Sequence, residues 1–267
     1  MHCIVIKIKK SITGRVRLKN PKSILITGAS SGIGAALAHE YAEPGIILHL
    51  SGRNKGRMET IKADCKTSGA TVHINTIDVR DEVSMSAWIL SCHPLDLVIA
   101  NAGISSSLSN SDNISVHTKN IFDINVIGVF NTVHPAIKCM KPRGKGQIAV
   151  VASVAGFRGL PSAPAYSTSK VAVKAYGEAL RGLYCKDGLE INVISPGFVK
   201  SRITEKNKFK MPFLIEADQA AKIIRSGLEK NNPHIIFPWQ MHVITFIAQR
   251  LVPDFILEYL LKKLPQK

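Results

Sequence analysis

The stretch Thr27-Gly28-Ala29-Ser30-Ser31-Gly32-Ile33-Gly34 connects a short apolar segment, Ser23–Thr27, to a helix predicted over Gly34–Ala42. Its glycines permit a tight turn and let the backbone approach a phosphate with no Cβ in the way. The opening helix directs unpaired N–H groups and its positive dipole end at the same point. The spacing is G-x-x-x-G-x-G rather than the common G-x-G-x-x-G. The turn therefore predicts a pyrophosphate site, although a plain Gly/Ser loop can have the same composition.

Around this turn, apolar strands alternate with amphipathic helices from Lys22 onward. Strands are predicted at Ser23–Thr27, Ile46–Leu50, Thr71–Ile77, Leu95–Ala100, Gln147–Ala152, Glu190–Ser195 and His234–Phe237. Helices are predicted at Gly34–Ala42, Lys55–Thr67, Glu82–Leu90, Lys119–Met140 with an interruption at Pro135, Ala165–Cys185 and Ala217–Lys230. Continuous apolar strands separated by helices indicate an α/β fold, a doubly wound parallel sheet of about seven strands with helices on both faces. Such sheets bind ligands beyond the carboxyl ends of their strands.

Length and composition favour a single domain over residues 21–267, preceded by a basic extension over residues 1–20. The chain has 267 residues, of which 45% are apolar, enough for a sizeable core. Its five cysteines are scattered without a C-x-x-C pair, and its nine histidines show no H-E-x-x-H spacing. We therefore expect no disulfide framework, no metal site, and reduced thiols in the cytoplasm.

The formal net charge of +16 is partly local to the start of the chain. Residues 1–22 contain no acidic residue and seven cations, Lys7, Lys9, Lys10, Arg15, Arg17, Lys19 and Lys22. We expect residues 1–20 to be a poorly ordered extension; a basic hairpin, a functional arm and a start codon chosen too far upstream are the alternatives. The apolar run Cys3–Ile6 is too short for a signal peptide. No nucleic-acid-binding module is visible, so we expect the positive potential to attract a phosphate-bearing cofactor and not nucleic acid.

The end of the second strand predicts which nicotinamide cofactor binds. An acidic residue there would accept hydrogen bonds from the ribose 2′-OH of NAD, whereas a basic one would meet the 2′-phosphate of NADP. The chain has Ser51-Gly52-Arg53 and no acid at this point. We therefore predict NADP(H), with Arg53 on the phosphate, Ser51 beside it, and Asn54 or Lys55 as a further contact. NAD(H) is the alternative, in which case Arg53 is a solvated turn residue.

Tyr166 and Lys170 lie four residues apart, which places them on one face of a predicted helix. A tyrosine has a pKa of about 10, and a nearby ammonium lowers that pKa toward the working range of an acid–base catalyst. Ser153 ends a strand upstream and can hydrogen-bond a substrate oxygen. Taken alone, the pair of Tyr166 and Lys170 is typical of a helix surface, and Ser153 is typical of a residue that caps the end of a strand. Together with the glycine turn, the three residues predict proton transfer to or from a carbonyl oxygen beside a bound dinucleotide.

The chain resembles the short-chain dehydrogenase/reductase family over about Lys22 to Phe237. It matches Thr-Gly-x-x-x-Gly-x-Gly at Thr27–Gly34, Asn-Ala-Gly at Asn101–Gly103, Tyr-x-x-x-Lys at Tyr166–Lys170 and Pro-Gly at Pro196-Gly197. The resemblance implies a Rossmann-type fold and hydride transfer at a nicotinamide. Two positions depart from the family pattern. Ser31 stands where NADP-preferring members often carry a basic residue, and Ser201 replaces a threonine that reaches the carboxamide, for which Thr204 is a candidate substitute.

The resemblance also implies roles for individual residues. The implied catalytic residues are Asn125, Ser153, Tyr166 and Lys170, with Asn125 holding a water that relays protons through the lysine, which also holds the nicotinamide ribose. In the family an Asp contacts the adenine, here Asp78, and the Asn-Ala-Gly turn borders the adenine ribose. The implied cofactor-binding residues are Gly28, Ser30, Ser31, Gly32, Ile33, Gly34, Arg53, Asp78, Val79, Asn101, Ala102, Gly103, Tyr166, Lys170, Pro196, Gly197 and Val199.

These features predict an NADP(H)-dependent oxidoreductase that interconverts a carbonyl and a secondary alcohol, with Tyr166 as general acid/base. The segment Phe198–Phe213 mixes apolar and basic residues and should cover the substrate pocket, although an ordinary flexible loop can have the same composition. Such a lid would suit a lipophilic or acyl substrate, and we predict that the protein acts as a reductase. We expect a homodimer or homotetramer. Residues 240–264 are apolar and should form helices that pack on the domain, on another subunit, or peripherally on the inner face of a membrane. The alternative is a catalytically silent dinucleotide-binding regulatory or membrane-associated protein on the same fold.

Overall fold

The computed structural model describes residues 20–105, 113–205, 211–250 and 252–253. Its strands are β1 (Ser23–Thr27), β2 (Ile47–Ser51), β3 (Thr71–Asn75), β4 (Leu97–Ala100), β5 (Gly146–Val151), β6 (Leu189–Pro196) and β7 (His234–Phe237). They form one parallel sheet in the order β3-β2-β1-β4-β5-β6-β7. The order reverses between β1 and β4, which opens a crevice at the carboxyl ends of these strands. The predicted doubly wound α/β sheet is confirmed.

Helices connect these strands and cover the sheet. They are α1 (Gly32–Glu40), α2 (Lys55–Thr67), α3 (Glu82–Ser91), α4 (Ile114–Phe122), α5 (Gly128–Met140), α6 (Pro164–Tyr184), α7 (Ala217–Glu229) and α8 (Trp239–Arg250). Short 3₁₀ turns lie at Lys141–Arg143, Val154–Gly156 and Cys185–Asp187. The bounds of β1, β7 and α2 are as predicted, and most other elements differ by a residue or two at an end.

Alternate side chains of each strand pack on opposite faces of the sheet. In β1, Ile24 and Ile26 join the apolar cluster under α1, α2 and α7, while Leu25 joins the cluster under α3, α5 and α6. All three side chains are fully buried. Because burying such a side chain contributes about 1.5–3 kcal/mol, this two-sided core fixes the strand ends on which the site is built.

The helix predicted over Lys119–Met140 differs in the structure. Asn113 caps α4 by accepting hydrogen bonds from two backbone N–H groups of its first turn, so the helix begins at Ile114. The interruption is a π-helical turn, Asp123–Ile127, whereas Pro135 lies within α5. The predicted break at Pro135 is therefore wrong. A π-turn accommodates one extra residue per turn and has no sequence pattern as plain as a proline.

The two ends of the chain are only partly described. The predicted extension over residues 1–20 lies outside the described residues apart from Asn20. Of the predicted apolar helices over residues 240–264, the structure describes α8 and residues 252–253. Across the described residues, no helix has both the length and the apolarity needed to cross a membrane.

Candidate active site

A cavity of about 500 Å³ opens at the carboxyl ends of the strands. Both halves of the predicted site face it, the glycine turn after β1 on one side and the Tyr166 helix on the other. Gly34 and Asn125 pack behind its wall. The other predicted site residues line it, namely Gly28, Ser30, Ser31, Gly32, Ile33, Arg53, Asp78, Val79, Asn101, Ala102, Gly103, Ser153, Tyr166, Lys170, Pro196, Gly197 and Val199.

The glycine turn has no room for side chains at two of its glycines. Gly28 has a φ of +68°, and a Cβ on it would lie 2.7 Å from Ala102 Cα. A Cβ on Gly34 would lie 2.5 Å from Asn101 Nδ2. Ser31 precedes α1 in an extended conformation, and its side chain caps none of the helix N–H groups. Those N–H groups remain available to an anion, so the residues present fit a pyrophosphate.

Asn101 ties this turn to the end of β4. Its Nδ2 donates to Thr27 O at 3.0 Å and to Gly28 O at 3.2 Å. In return, Thr27 Oγ1 accepts hydrogen bonds from the backbone N–H of Asn101 at 3.1 Å and of Ala102 at 3.2 Å. These reciprocal bonds hold the Asn101–Gly103 loop and the glycine turn as one unit.

Asp78, after β3, is a paired carboxylate. Arg80 donates to it from Nη2 at 2.7 Å and from Nε at 3.0 Å. The Arg80 hydrogen bonds, opposed by burial and helped by the charge of Arg53, lower the pKa of Asp78. Sequence reasoning missed Arg80, although a basic residue two positions after the acid was the available signal.

The end of β2 presents an unsatisfied polar group. Ser51 is fully buried, and its Oγ has no hydrogen-bond partner among the described residues. Such a group is costly unless a ligand pairs with it. Arg53 is exposed at the rim. Of the two further contacts predicted, Asn54 lines the cavity but its side chain accepts from Arg57 N at 2.9 Å, and Lys55 does not line it. Arg57, which sequence reasoning missed, does line it.

Strand β5 and helix α6 bring the predicted chemical groups together. Ser153 follows β5 and is hydrogen-bonded to the Tyr166 hydroxyl. The Ser153 Oγ also accepts from Ala155 N at 3.1 Å. Lys170, one turn after Tyr166, donates from Nζ to Val151 O at 2.8 Å, and this Nζ lies 5.9 Å from the Tyr166 ring centroid. A hydroxyl pair and a cation thus share one wall of the cavity.

Burial governs the proton affinity of both titrating groups. Lys170 is 4% exposed, and burial lowers its pKa from 10.5 to about 8. Burial raises the pKa of Tyr166, and the hydrogen bond with Ser153 opposes this only in part. The pKa of Tyr166 therefore moves in the direction opposite to the predicted lowering by Lys170, because desolvation of the phenolate is the largest contribution and the Ser153 hydrogen bond opposes it only in part. At neutral pH Tyr166 is protonated.

Asn125 is fully buried in the π-turn and supports the Tyr166 wall of the cavity from behind. Its Oδ1 accepts from Ile104 N at 2.8 Å, and its Nδ2 donates to Ile104 O at 2.9 Å and to Ser169 Oγ at 3.1 Å. The Ser169 hydroxyl in turn donates to Tyr166 O at 2.7 Å. Both polar atoms of the Asn125 side chain thus form hydrogen bonds with protein groups. The role of Asn125 in a water relay stays a prediction. Sequence reasoning missed Ser169, although its helical spacing from Tyr166 was a signal.

The segment after β6 starts the predicted lid. The backbone N–H of Lys200 donates to Ile215 O at 2.9 Å, which closes the base of the loop. Thr204 Oγ1 accepts from Ser201 N at 2.8 Å and donates to Val199 O at 2.9 Å. The Thr204 hydroxyl is therefore used in hydrogen bonds within the lid. It is a poor substitute for the threonine that reaches the cofactor carboxamide in the family pattern.

Ser201, in contrast, lies against the glycine turn. A Cβ on Gly32 would be 2.9 Å from Ser201 Cβ. Of the predicted lid over Phe198–Phe213, residues 206–210 lie outside the described residues, and Phe213 is exposed. The described start of the lid therefore covers the glycine turn.

Comparisons with known proteins agree with this geometry. The family described as short chain dehydrogenase matches residues 22–211. An uncharacterized oxidoreductase of Myxococcus xanthus is 34% identical over 86% of this chain and 92% of its own. The protein 11-beta-hydroxysteroid dehydrogenase-like 2 of Arabidopsis thaliana is 31% identical over 97% of this chain and 86% of its own. A short-chain dehydrogenase of Sphingobium yanoikuyae, solved in complex with NADPH, superimposes with a TM-score of 0.77 at 22% identity, covering 91% of this chain and 96% of its own.

Proposed function

The chain belongs to the short-chain dehydrogenase family, and on this premise we propose that it is an NADP(H)-dependent oxidoreductase that interconverts a carbonyl and a secondary alcohol. One observation carries the proposal: the hydrogen-bonded Ser153 and Tyr166 and the buried Lys170 face the same cavity as the glycine turn. A nicotinamide bound along that cavity would supply or accept the hydride. The protein then has to hold the substrate oxygen and move one proton.

The three side chains divide that work. Ser153 donates a hydrogen bond that orients the substrate oxygen, and Tyr166 transfers the proton. Lys170, anchored on Val151 O, keeps a positive charge beside the phenol ring. Because burial raises the pKa of Tyr166, this hydroxyl is a proton donor at neutral pH. The direction that we propose, reduction of a carbonyl, uses this proton, and the reverse reaction would return it to Tyr166.

The proposed preference for NADP(H) rests on the residues at the end of β2. Ser51 offers a buried hydroxyl that has no hydrogen-bond partner in the described part of the chain, and Arg53 supplies a positive charge on the rim. No acid follows β2, and Asp78 at the same end of the cavity is paired with Arg80. A 2′-phosphate fits this arrangement better than a bare ribose hydroxyl. The likeness to the NADPH complex supports the fold alone.

The proposed substrate is lipophilic. The Arabidopsis relative is named for a hydroxysteroid dehydrogenase. Ile203 and Ile124 line the cavity, and Phe213 and Leu214, at and just after the end of the lid, are exposed. Apolar side chains that line a pocket and its lid favour an apolar substrate.

A substrate screen tests the proposed activity. Ketones, 3-oxoacyl thioesters and ketosteroids are each mixed with the protein and NADPH, and loss of NADPH absorbance is followed. We expect turnover with at least one lipophilic ketone. NADPH binding with no turnover of any compound would favour the regulatory alternative, and failure to bind NADPH or NADH would contradict the dinucleotide site itself.

A peripheral membrane contact through residues 240–264 is part of the proposal. Helix α8 exposes Trp239, Val243, Ile244 and Ile247, and an exposed apolar stripe on a helix favours a lipid surface. Trp239→Ser should lower the fraction of protein that sediments with anionic liposomes. Val83→Ser, which alters an exposed apolar residue on α3, is the matched control. Equal sedimentation of both variants and the wild type would rule out this contact.

A cytoplasmic homodimer or homotetramer, with residues 21–267 as one domain, completes the proposal. Helix α4 exposes Ile114 and Val116, and α6 exposes Leu183. Exposed apolar side chains of this kind favour a subunit interface. Sedimentation equilibrium measures the molecular mass, and a monomer at all concentrations would contradict this part of the proposal.

A further inference from the structure

The phosphate end of the cavity contains a second arginine. Arg57 lies in the first turn of α2 and lines the cavity beside Ser30, Ser51 and Arg53. We infer that Arg57 is a second specificity-determining residue, which binds the 2′-phosphate of NADP(H) together with Arg53. This inference rests on the dinucleotide function proposed above and assigns one more residue to it.

The contacts of Arg57 hold it in place at both the backbone and the side chain. Its backbone N–H donates to Asn54 Oδ1 at 2.9 Å, and its Nε donates to Ser30 O at 3.2 Å. Because Ser30 belongs to the glycine turn, the guanidinium connects α2 with the phosphate-binding turn. An arginine that is already oriented loses little conformational freedom when it binds an anion. Arg57 is half-buried and fixed, whereas Arg53 is exposed.

The charges around the two arginines leave them available for a ligand. Among the described residues, neither Arg53 nor Arg57 forms an ion pair with a carboxylate, and Asp78 is bound by Arg80 at 2.7 Å. A phosphate monoester carries a charge of roughly −1.5 to −2 at neutral pH and pairs with guanidinium groups in a planar, bidentate manner. A ribose hydroxyl carries no charge, and the Ser51 hydroxyl, which has no hydrogen-bond partner among the described residues, could pair with it. The second guanidinium is therefore explained by a phosphate and not by a hydroxyl.

Two small probes isolate this contact. Adenosine 2′,5′-bisphosphate and adenosine 5′-monophosphate differ only in the 2′-phosphate, and titration calorimetry gives the Kd of each. Arg57→Gln keeps a donor for Ser30 O but removes the charge. We expect it to weaken binding of the bisphosphate about tenfold or more, as for loss of a charge-assisted hydrogen bond, and to leave the monophosphate within about twofold. Arg57→Lys keeps the positive charge but not the planar guanidinium, so its affinity for the bisphosphate should fall less than that of Arg57→Gln.

Lys66→Gln is the matched control, since Lys66 lies on the same helix, is exposed, and does not line the cavity. It should change neither Kd by more than about twofold.

An equal loss of affinity for both probes in Arg57→Gln would show that Arg57 only supports the glycine turn, and no loss would show that it does not bind the phosphate. Either result overturns the inference. If the wild type binds the two probes equally, the proposed NADP(H) preference itself fails. If it binds neither, the dinucleotide site fails.

Discussion

The two ends of the cavity hold their cations in different ways. At the chemical end, Lys170 is 4% exposed and its ammonium is bonded to a backbone carbonyl. At the phosphate end, Arg53 is exposed and Arg57 is half-buried. At the chemical end, burial changes the pKa of the titrating side chains. At the phosphate end, the arginines are suited to bind a ligand by charge and hydrogen bonding. One cavity thus joins a region suited to proton transfer with a region suited to recognition.

The position of each end in the sheet explains the difference. The chemical end is built on β5, which lies inside the sheet, and on α6, which packs over it. The phosphate end is built on β2, next to the edge strand β3, and on the first turn of α2. Substitutions at the chemical end should therefore change kcat or pH dependence, and those at the phosphate end should change cofactor affinity.

The comparison is tested most strongly at Tyr166. Tyr166→Phe removes the proton donor but keeps the ring, so kcat should fall about 10³-fold, within the range that general acid catalysis contributes. The Kd for NADPH should stay within about twofold of the wild-type value. Steady-state kinetics and fluorescence titration measure the two quantities. Turnover at the wild-type rate would remove Tyr166 from the mechanism.

Lys170 tests whether burial governs the chemical end. Its folded pKa of about 8 lies below the ordinary 10.5, so the unfolded chain binds more protons between these values. Below pH 8, burial of the charged Lys170 destabilises the folded state by its full amount. This destabilisation disappears as the pH rises to 10.5, because the buried amine then loses its proton. The free energy of unfolding of the wild type, relative to Lys170→Met, should therefore rise over this window by up to about 3 kcal/mol. Urea denaturation at several pH values measures this difference, and a flat profile would contradict the assignment.

Arg53 tests the recognition end. Arg53→Asp places a negative charge beside the 2′-phosphate, so the KM for NADPH should rise about tenfold or more while the KM for NADH stays level or falls. Lys66→Asp makes the same charge change on the same helix, outside the cavity, and is the control. A wild-type enzyme that prefers NADH would defeat the proposed cofactor preference.

Thr204 should give the smallest effect, because its side chain bonds the backbone of the lid and no group of either end. Thr204→Val leaves Ser201 N and Val199 O without their 2.8 Å and 2.9 Å partners. We expect about 1 kcal/mol less stability, the typical value of such a bond, and a KM raised only a few-fold. Thr60→Val, on the exposed side of α2, is the control. A large fall in kcat would mean that Thr204 contacts the reacting groups after all.

Sequence reasoning predicted the features that are local in character. The bounds of β1 follow from a short apolar run that ends at the glycine turn, and the pairing of Tyr166 with Lys170 follows from helical spacing. The turn itself is determined by backbone freedom, since Gly28 has a φ of +68°. Such properties depend on a few neighbouring residues and are therefore readable without a structure.

Other properties depend on residues far apart in the chain, and only the tertiary structure decided them. The direction of the Tyr166 pKa shift depends on how fully neighbouring elements exclude water from the phenol. The π-turn directs Asn125 toward Ile104 and Ser169, and Arg57 bonds Ser30 in the glycine turn, 27 residues away in the chain. Motifs thus determined which chemical groups this protein carries, whereas packing determined how strongly each group holds its proton and which partners it meets.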